Sequence, residues 1–145
     1  NEPQVMRALY EASQAGVQVD LVVRGACTLR TGIPGISDNI RVRSVVGRFL
    51  EHHRIWWFGN DGTPDLYCSS ADWLERNLLR RVETAFPILD ADCAQRVRRE
   101  GLLNYLADNQ NAWELAADGG YRKIAAAEGE APFSAQLSSL DGLYA

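Results

Sequence analysis

Between Pro3 and Ala15 the apolar side chains return at Val5, Met6, Leu9, Tyr10 and Ala12, the spacing of one helical face, before Gly16 ends the run. Pro3 suits a first helical turn, where its missing N–H is not needed. A helix over 3–15 is predicted. The pattern then changes period: Val17, Val19, Leu21 and Val23 alternate, and Val22 makes the other side apolar too. That composition predicts a strand buried on both faces. A helix feeding such a strand is the second half of a βαβ unit, so the first strand of the unit is expected before Asn1.

Residues 25–39, with three glycines and a proline, read as a long loop at the carboxyl end of that strand, where ligands bind in open α/β sheets. Ile40–Val46 and Arg54–Phe58 read as strands, and Gly59–Pro64 as a turn into a strand at Asp65–Ser69. A short turn or helix follows in ADWLERN, then a strand at Arg81–Phe86 ended by Pro87. Asp90 and Asp92 can cap a helix from about 91 to 107, with Gly101 as its weak point. In the tail, Trp113–Ala117 and Tyr121–Ile124 form short strands around Asp118-Gly119-Gly120, and Ser134 caps a last helix through Gln136, Leu137 and Leu140. The whole reads as an α/β fold, a mixed sheet flanked by helices. With no internal repeat or low-complexity linker, a single domain over 1–145 is expected.

Composition supports one packed core: 145 residues, 46% of them hydrophobic. No run reaches the roughly 20 apolar residues of a membrane helix, and the start lacks the basic and apolar regions of a signal peptide. The chain opens on Asn1 and its one methionine is Met6, inside the helical pattern, so a translation start upstream is expected. The net charge of -4 hides an arginine-rich middle, from Arg24 through Arg41, Arg43, Arg48 and Arg54 to Arg81. Such a middle can form a local anion site on an acidic chain. Cys27, Cys68 and Cys93 are widely spaced and odd in number, which fits buried free thiols in a reducing cytoplasm better than zinc or disulfides.

The densest chemical signal is RFLEHHRIWWFGN, residues 48–60, which holds both histidines. In an extended segment side chains alternate, so His52 and Arg54 share one face and His53 turns away with Ile55. An arginine favours the neutral imidazole of His52, a base, phosphate acceptor or hydrogen-bond donor near neutral pH. A structural bond to a backbone carbonyl is the alternative for such a histidine. Arg24 ends the most hydrophobic strand and can place its fork of donors on phosphate oxygens, or pair with Asp38. Ser70 follows a strand and can bind an anion or orient a histidine, although Ser70 and Asp72 equally suit helix capping. Trp56, Trp57 and Trp73 fit packing better than base stacking.

Taken together, GVQVDLVVRGACTLRTGIPGISDNIRVRSVVGRFLEHHRIWWF and YCSSADWLERNLLRRVETAFPI closely resemble the C-terminal domain of the first-type polyphosphate kinase. The likeness covers about the first two thirds of the chain, and the tail from Ala91 adds only compatible helical patterning. The resemblance implies a phospholipase D-like fold and reversible transfer of the ATP terminal phosphoryl group to polyphosphate through a phosphohistidine. The phosphorylated histidine of that family lies in a preceding domain, outside this chain. The second histidine of its EHxR segment maps onto His52 and its post-strand arginine onto Arg24, both toward nucleotide phosphate, with Arg54 and Ser70 as further candidates. His53 falls on a variable position and is expected to be dispensable. The resemblance also implies ATP, ADP, polyphosphate and the rest of the enzyme as partners, a homo-oligomer at full length and a cytoplasmic location. Magnesium is expected in the whole enzyme, held by substrate phosphates and other domains, since no carboxylate cluster here reads as its site.

The chain departs from the phospholipase D pattern HxKxxxxD: Arg54 stands at the lysine and Gly59 at the aspartate, with Asp61 two residues late. That weakens the competing reading as a phosphodiesterase. A non-catalytic polyanion-binding module is the third possibility. Phosphoryl transfer needs positioned cations and donors above all, which Arg24 and His52 can supply.

Overall fold

The computed structural model describes residues 1–142. Helix α1 (Pro3–Gln14) starts as predicted, with the Glu2 carboxylate accepting from the Val5 N–H at its N-terminus. It leads into β1 (Val19–Val22), which pairs in parallel with β2 (Ile40–Val45), Leu21 opposite Val42. β6 (Ala112–Leu115) lies antiparallel on the far side of β2, and β7 (Tyr121–Lys123) completes the order β1-β2-β6-β7. A second, antiparallel sheet has the order β3-β4-β5, from Ile55–Phe58, Asp65–Ser69 and Ala85–Pro87. The expected mixed sheet is therefore accompanied by a separate three-stranded one.

Both faces of the larger sheet are covered. Ile40, Val42 and Leu115 form one buried cluster against Leu9 and Tyr10 of α1. On the opposite face Val45 and Ala112 pack with Tyr105 of α4 (Asn104–Ala107) and Ala135 of α5 (Ala135–Asp141). β2 is the hub because its alternate residues feed both clusters.

Three elements differ from the sequence reading. β1 is only half-buried rather than buried on both faces, because it is an edge strand: among the described residues nothing pairs with its outer side, and Asp20 faces out to bind Arg41 at 2.8 Å. The strand expected at 81–86 shrinks to β5, Val82 being fully exposed, and Pro87 belongs to it, opposite Tyr67. An edge strand tolerates proline there. The helix over 91–107 forms, but as α3 (Ala91–Arg98), a π-helical turn at Arg99–Leu103 and α4. Gly101 sits in that turn because a Cβ would collide with the Ile55 side chain; its hydrogen atom lets the helix approach β3.

The caps also differ. Ser134 stands at the start of α5 without capping it; the fully buried Asp108 accepts from Ala135 N at 2.8 Å instead. Neither Ser70 nor Asp72 caps α2 (Glu75–Leu78), which follows Leu74 with no side-chain bond. Cys27 and Cys68 are half-buried and Cys93 is exposed, so the thiols are free but less buried than expected, Cys93 lying on the outer side of α3. No helix among the described residues is long and apolar enough to cross a membrane.

Candidate active site

A cleft of ≈ 530 Å³ opens between the carboxyl end of β1, the approach to β3 and the turn after β4. Its lining includes Arg24, Glu51, His52, His53, Arg54 and Asp72, with Val5, Met6 and Leu9 of α1 along an apolar wall. Two residues singled out from sequence, Arg24 and His52, thus meet here although 28 positions apart.

β2 fixes the backbone at Arg24. Val23 N donates to Arg43 O at 2.8 Å, and the Arg24 carbonyl accepts from Ser44 Oγ at 3.2 Å. The exposed guanidinium reaches across the cleft to Glu51 O at 2.6 Å, next door to His52. The pairing with Asp38 does not form; that carboxylate accepts from Gly35 N at 2.6 Å. A guanidinium carries five N–H donors, so a single carbonyl bond leaves Arg24 donors available to an anion.

Arg54 is engaged differently. Its Nε and Nη2 both donate to Asp72 Oδ1, at 3.0 and 2.8 Å, and its Nη1 donates to the His52 carbonyl at 2.9 Å. Nη2 also lies 3.4 Å from His52 Nε2. A guanidinium only donates, so a hydrogen bond here would make Nε2 the acceptor and leave Nδ1 as the ring's donor. Arg54 is paired with Asp72 and braces His52, whereas Arg24, which lines the same cleft, has no carboxylate partner among the described residues.

Residues 51 and 53 also line the cleft, but their side chains turn toward the tail, on the side of the segment opposite His52 and Arg54. His53 Nδ1 stands 3.3 Å from Glu51 Oε2, its Nε2 stands 3.1 Å from Gly101 O, and its ring lies 5.1 Å from that of Tyr105. Burial, together with a hydrogen bond from its hydroxyl to Glu51, pushes the Tyr105 phenol well above its ordinary range. His53, expected to be dispensable, is thus built into the contact with the tail.

Ser70 does not join the cleft. Its hydroxyl donates to Glu83 Oε2 and accepts from Thr84 N at 3.0 Å, closing a corner with Asn77, whose Nδ2 donates to Glu83 Oε1 at 3.0 Å. The Ser70 bond, then the Asn77 bond, holds the Glu83 carboxyl below its usual pKa. Trp56 and Trp73 pack 5.8 Å apart along the cleft wall, and Arg98 sits 4.4 Å over Trp57.

Sequence reasoning missed Glu51, Tyr105 and Gln136. Glu51 lies in EHHR and the alternation that turned His53 inward could have found it. Tyr105 and Gln136 carry no local signal, because their contacts with this segment are closed by the fold. Among the described residues no three His, Cys, Asp or Glu side chains cluster as a metal site. The Asp72 carboxylate already serves Arg54, so these residues do not fit a resident cation.

The geometry defines a class: an α/β domain with an arginine and a histidine across one cleft. Residues 1–136 match the family model described as polyphosphate kinase C-terminal domain 2, and the chain belongs to that family. It is 66% identical over 143 residues to a polyphosphate kinase of Xylella fastidiosa (strain Temecula1 / ATCC 700964), covering 99% of this chain. It is 59% identical over 139 residues, 96% of the chain, to one of Burkholderia lata. It spans 20% of the length of each of these relatives. The crystal structure of polyphosphate kinase from Porphyromonas gingivalis superposes with a TM-score of 0.93 at 39% identity, over 99% of this chain and 22% of that one. The likeness therefore runs well past the first two thirds and takes in the tail.

Proposed function

We propose that this chain is the phosphate-holding part of an ATP–polyphosphate phosphotransferase, acting together with the rest of a larger enzyme. The observation that carries the proposal is the 2.6 Å bond from Arg24 to the Glu51 carbonyl, which holds an exposed guanidinium on the main chain next to His52, in the cleft both residues line. The relatives of which this chain spans a fifth are named polyphosphate kinases. In this reading ATP yields its terminal phosphoryl to a histidine outside the chain, ADP leaves, and polyphosphate accepts the group, reversibly. Arg24 binds phosphate oxygens with the donors it has left. His52 donates from Nδ1 to an oxygen on which charge develops, while Arg54 and Asp72 hold its ring. Magnesium in the whole enzyme rides on substrate phosphates rather than on side chains of this chain. The full-length enzyme is read as a cytoplasmic homo-oligomer.

The test is His52→Ala in the full-length protein, assayed for ATP-dependent polyphosphate synthesis. Synthesis is expected to fall at least about 100-fold, the scale of losing a donor aimed at developing charge. Retention of normal synthesis would overturn the assignment. Phosphodiester cleavage without ATP would favour the hydrolase reading instead.

A further inference from the structure

We infer that Gln136, in α5 near the end of the chain, is a positioning residue for the His52 segment; this rests on the proposed role of His52. The segment between β2 and β3 belongs to no strand or helix, so no ladder fixes it. Its ends are tied: Val46 N donates to Asn111 O at 3.1 Å, and Arg54 O accepts from Ser69 N at 2.9 Å. In between, side chains hold the main chain. Arg24 takes Glu51 O, Arg54 takes His52 O, and Gln136 takes both polar groups of Phe49.

Gln136 is 5% exposed, and its amide spends itself on this one segment. Its Oε1 accepts from Phe49 N at 3.0 Å, while Nε2 donates to Phe49 O at 2.8 Å and to Glu51 Oε1 at 3.0 Å. The first two bonds reproduce the paired geometry of a neighbouring strand and so fix register as well as distance. The third orients Glu51, whose other oxygen faces His53. Both neighbours of His52, which line the cleft with it, are thereby anchored toward the tail, on the side opposite His52. Gly47 leaves the room this requires, because a Cβ there would overlap the Gln136 amide. The anchor is itself rigid: Ala135, the preceding residue, is completely buried and bonded to Asp108. Gln136 does not line the cleft, so it acts on the reaction only through the segment it holds.

The experiment compares Gln136→Met with wild type in the full-length enzyme, measuring kcat and KM for ATP, the folded fraction and the unfolding midpoint. Methionine keeps the length and removes the hydrogen bonds. The expected result is a fall of about tenfold or more in kcat/KM, partly through a higher KM, with the folded fraction near wild type. A purely structural role would lower kcat in proportion to the folded fraction and leave KM unchanged; that outcome, or an unchanged kcat/KM, overturns the inference. If Gln136→Met does not fold, Gly47→Ala, which displaces the same amide, is held to the same two outcomes. His52→Ala run in parallel separates the failures: loss there with none in Gln136→Met sinks only this inference, whereas no loss in His52→Ala sinks the role of His52 itself.

Discussion

The segment from Glu51 to Arg54 has two sides, built by opposite means. The even side, His52 and Arg54, faces the cleft and is made of charge: two guanidiniums, an imidazole and the Asp72 carboxylate, mostly within reach of solvent. The odd side, Glu51 and His53, borders the same cleft but turns toward the tail and is made of fixed partners: the Gln136 amide, the Tyr105 ring and the Gly101 carbonyl. Alternation along an extended chain is enough to separate them. A side chain that meets a ligand needs donors left over; the backbone that carries it needs none left over. Stiffness supplied from behind keeps the donors in front in place without occupying them.

The harshest way to break the core side is Asp108→Ala. One oxygen of this buried carboxylate accepts from Gln110 N and Asn111 N at 2.9 and 2.6 Å, and the other accepts from Ala135 N at 2.8 Å. Alanine strands three N–H groups and frees the start of α5. A loss of about 2–4 kcal/mol is expected for this region. It would be read as a lower urea midpoint by tryptophan fluorescence, and polyphosphate synthesis should fall with it as Gln136 drifts. A midpoint unchanged from wild type would show that α5 is held elsewhere.

The cleft side is broken more gently by Arg24→Ala. Removing a charge-assisted donor to phosphate costs about 1.5–3 kcal/mol, so KM for ATP should rise about 10- to 100-fold in the full-length enzyme. The unfolding midpoint should barely move, since the guanidinium is exposed and makes one carbonyl bond. The comparison between the two sides holds only if these variants differ in kind: Asp108→Ala in stability, Arg24→Ala in substrate binding.

That difference also explains what was legible in the chain. The cleft side was readable because its residues announce themselves locally: Arg24 at a strand end, His52 two residues from Arg54, and the hairpin of β3 and β4 around GNDGTP. α1 and β2 were readable from period alone. The core side was not, because its contacts span 85 and 87 positions between Glu51 or Phe49 and Gln136, and an isolated glutamine has no pattern. Gly101 looked like a flaw in a helix and is the point where that helix touches Ile55. Asp108 and Ser134 show the same limit: proximity in sequence favoured the serine as cap, and the fold brought the aspartate 27 positions away.

The smallest effect is expected from Ser70→Ala, which tests whether the corner beyond β4 belongs to either side. The Ser70 hydroxyl serves Glu83 and Thr84 and stands outside the cleft lining, so polyphosphate synthesis should stay within about twofold of wild type. What should change is the acid behaviour of Glu83. Its carboxyl is held below the ordinary 4.5, first by the Ser70 bond and then by the Asn77 bond. A depressed carboxyl stabilises the fold above its unfolded pKa, and that contribution is lost as pH falls through the lowered folded value. Without Ser70 the folded pKa moves back up toward 4.5, so the stabilisation shrinks and Glu83 takes up its proton at higher pH on acidification. A carboxyl-detected NMR titration of Glu83 would show the upward shift. A large loss of synthesis in Ser70→Ala would instead place this corner on the cleft side and redraw the boundary between the two.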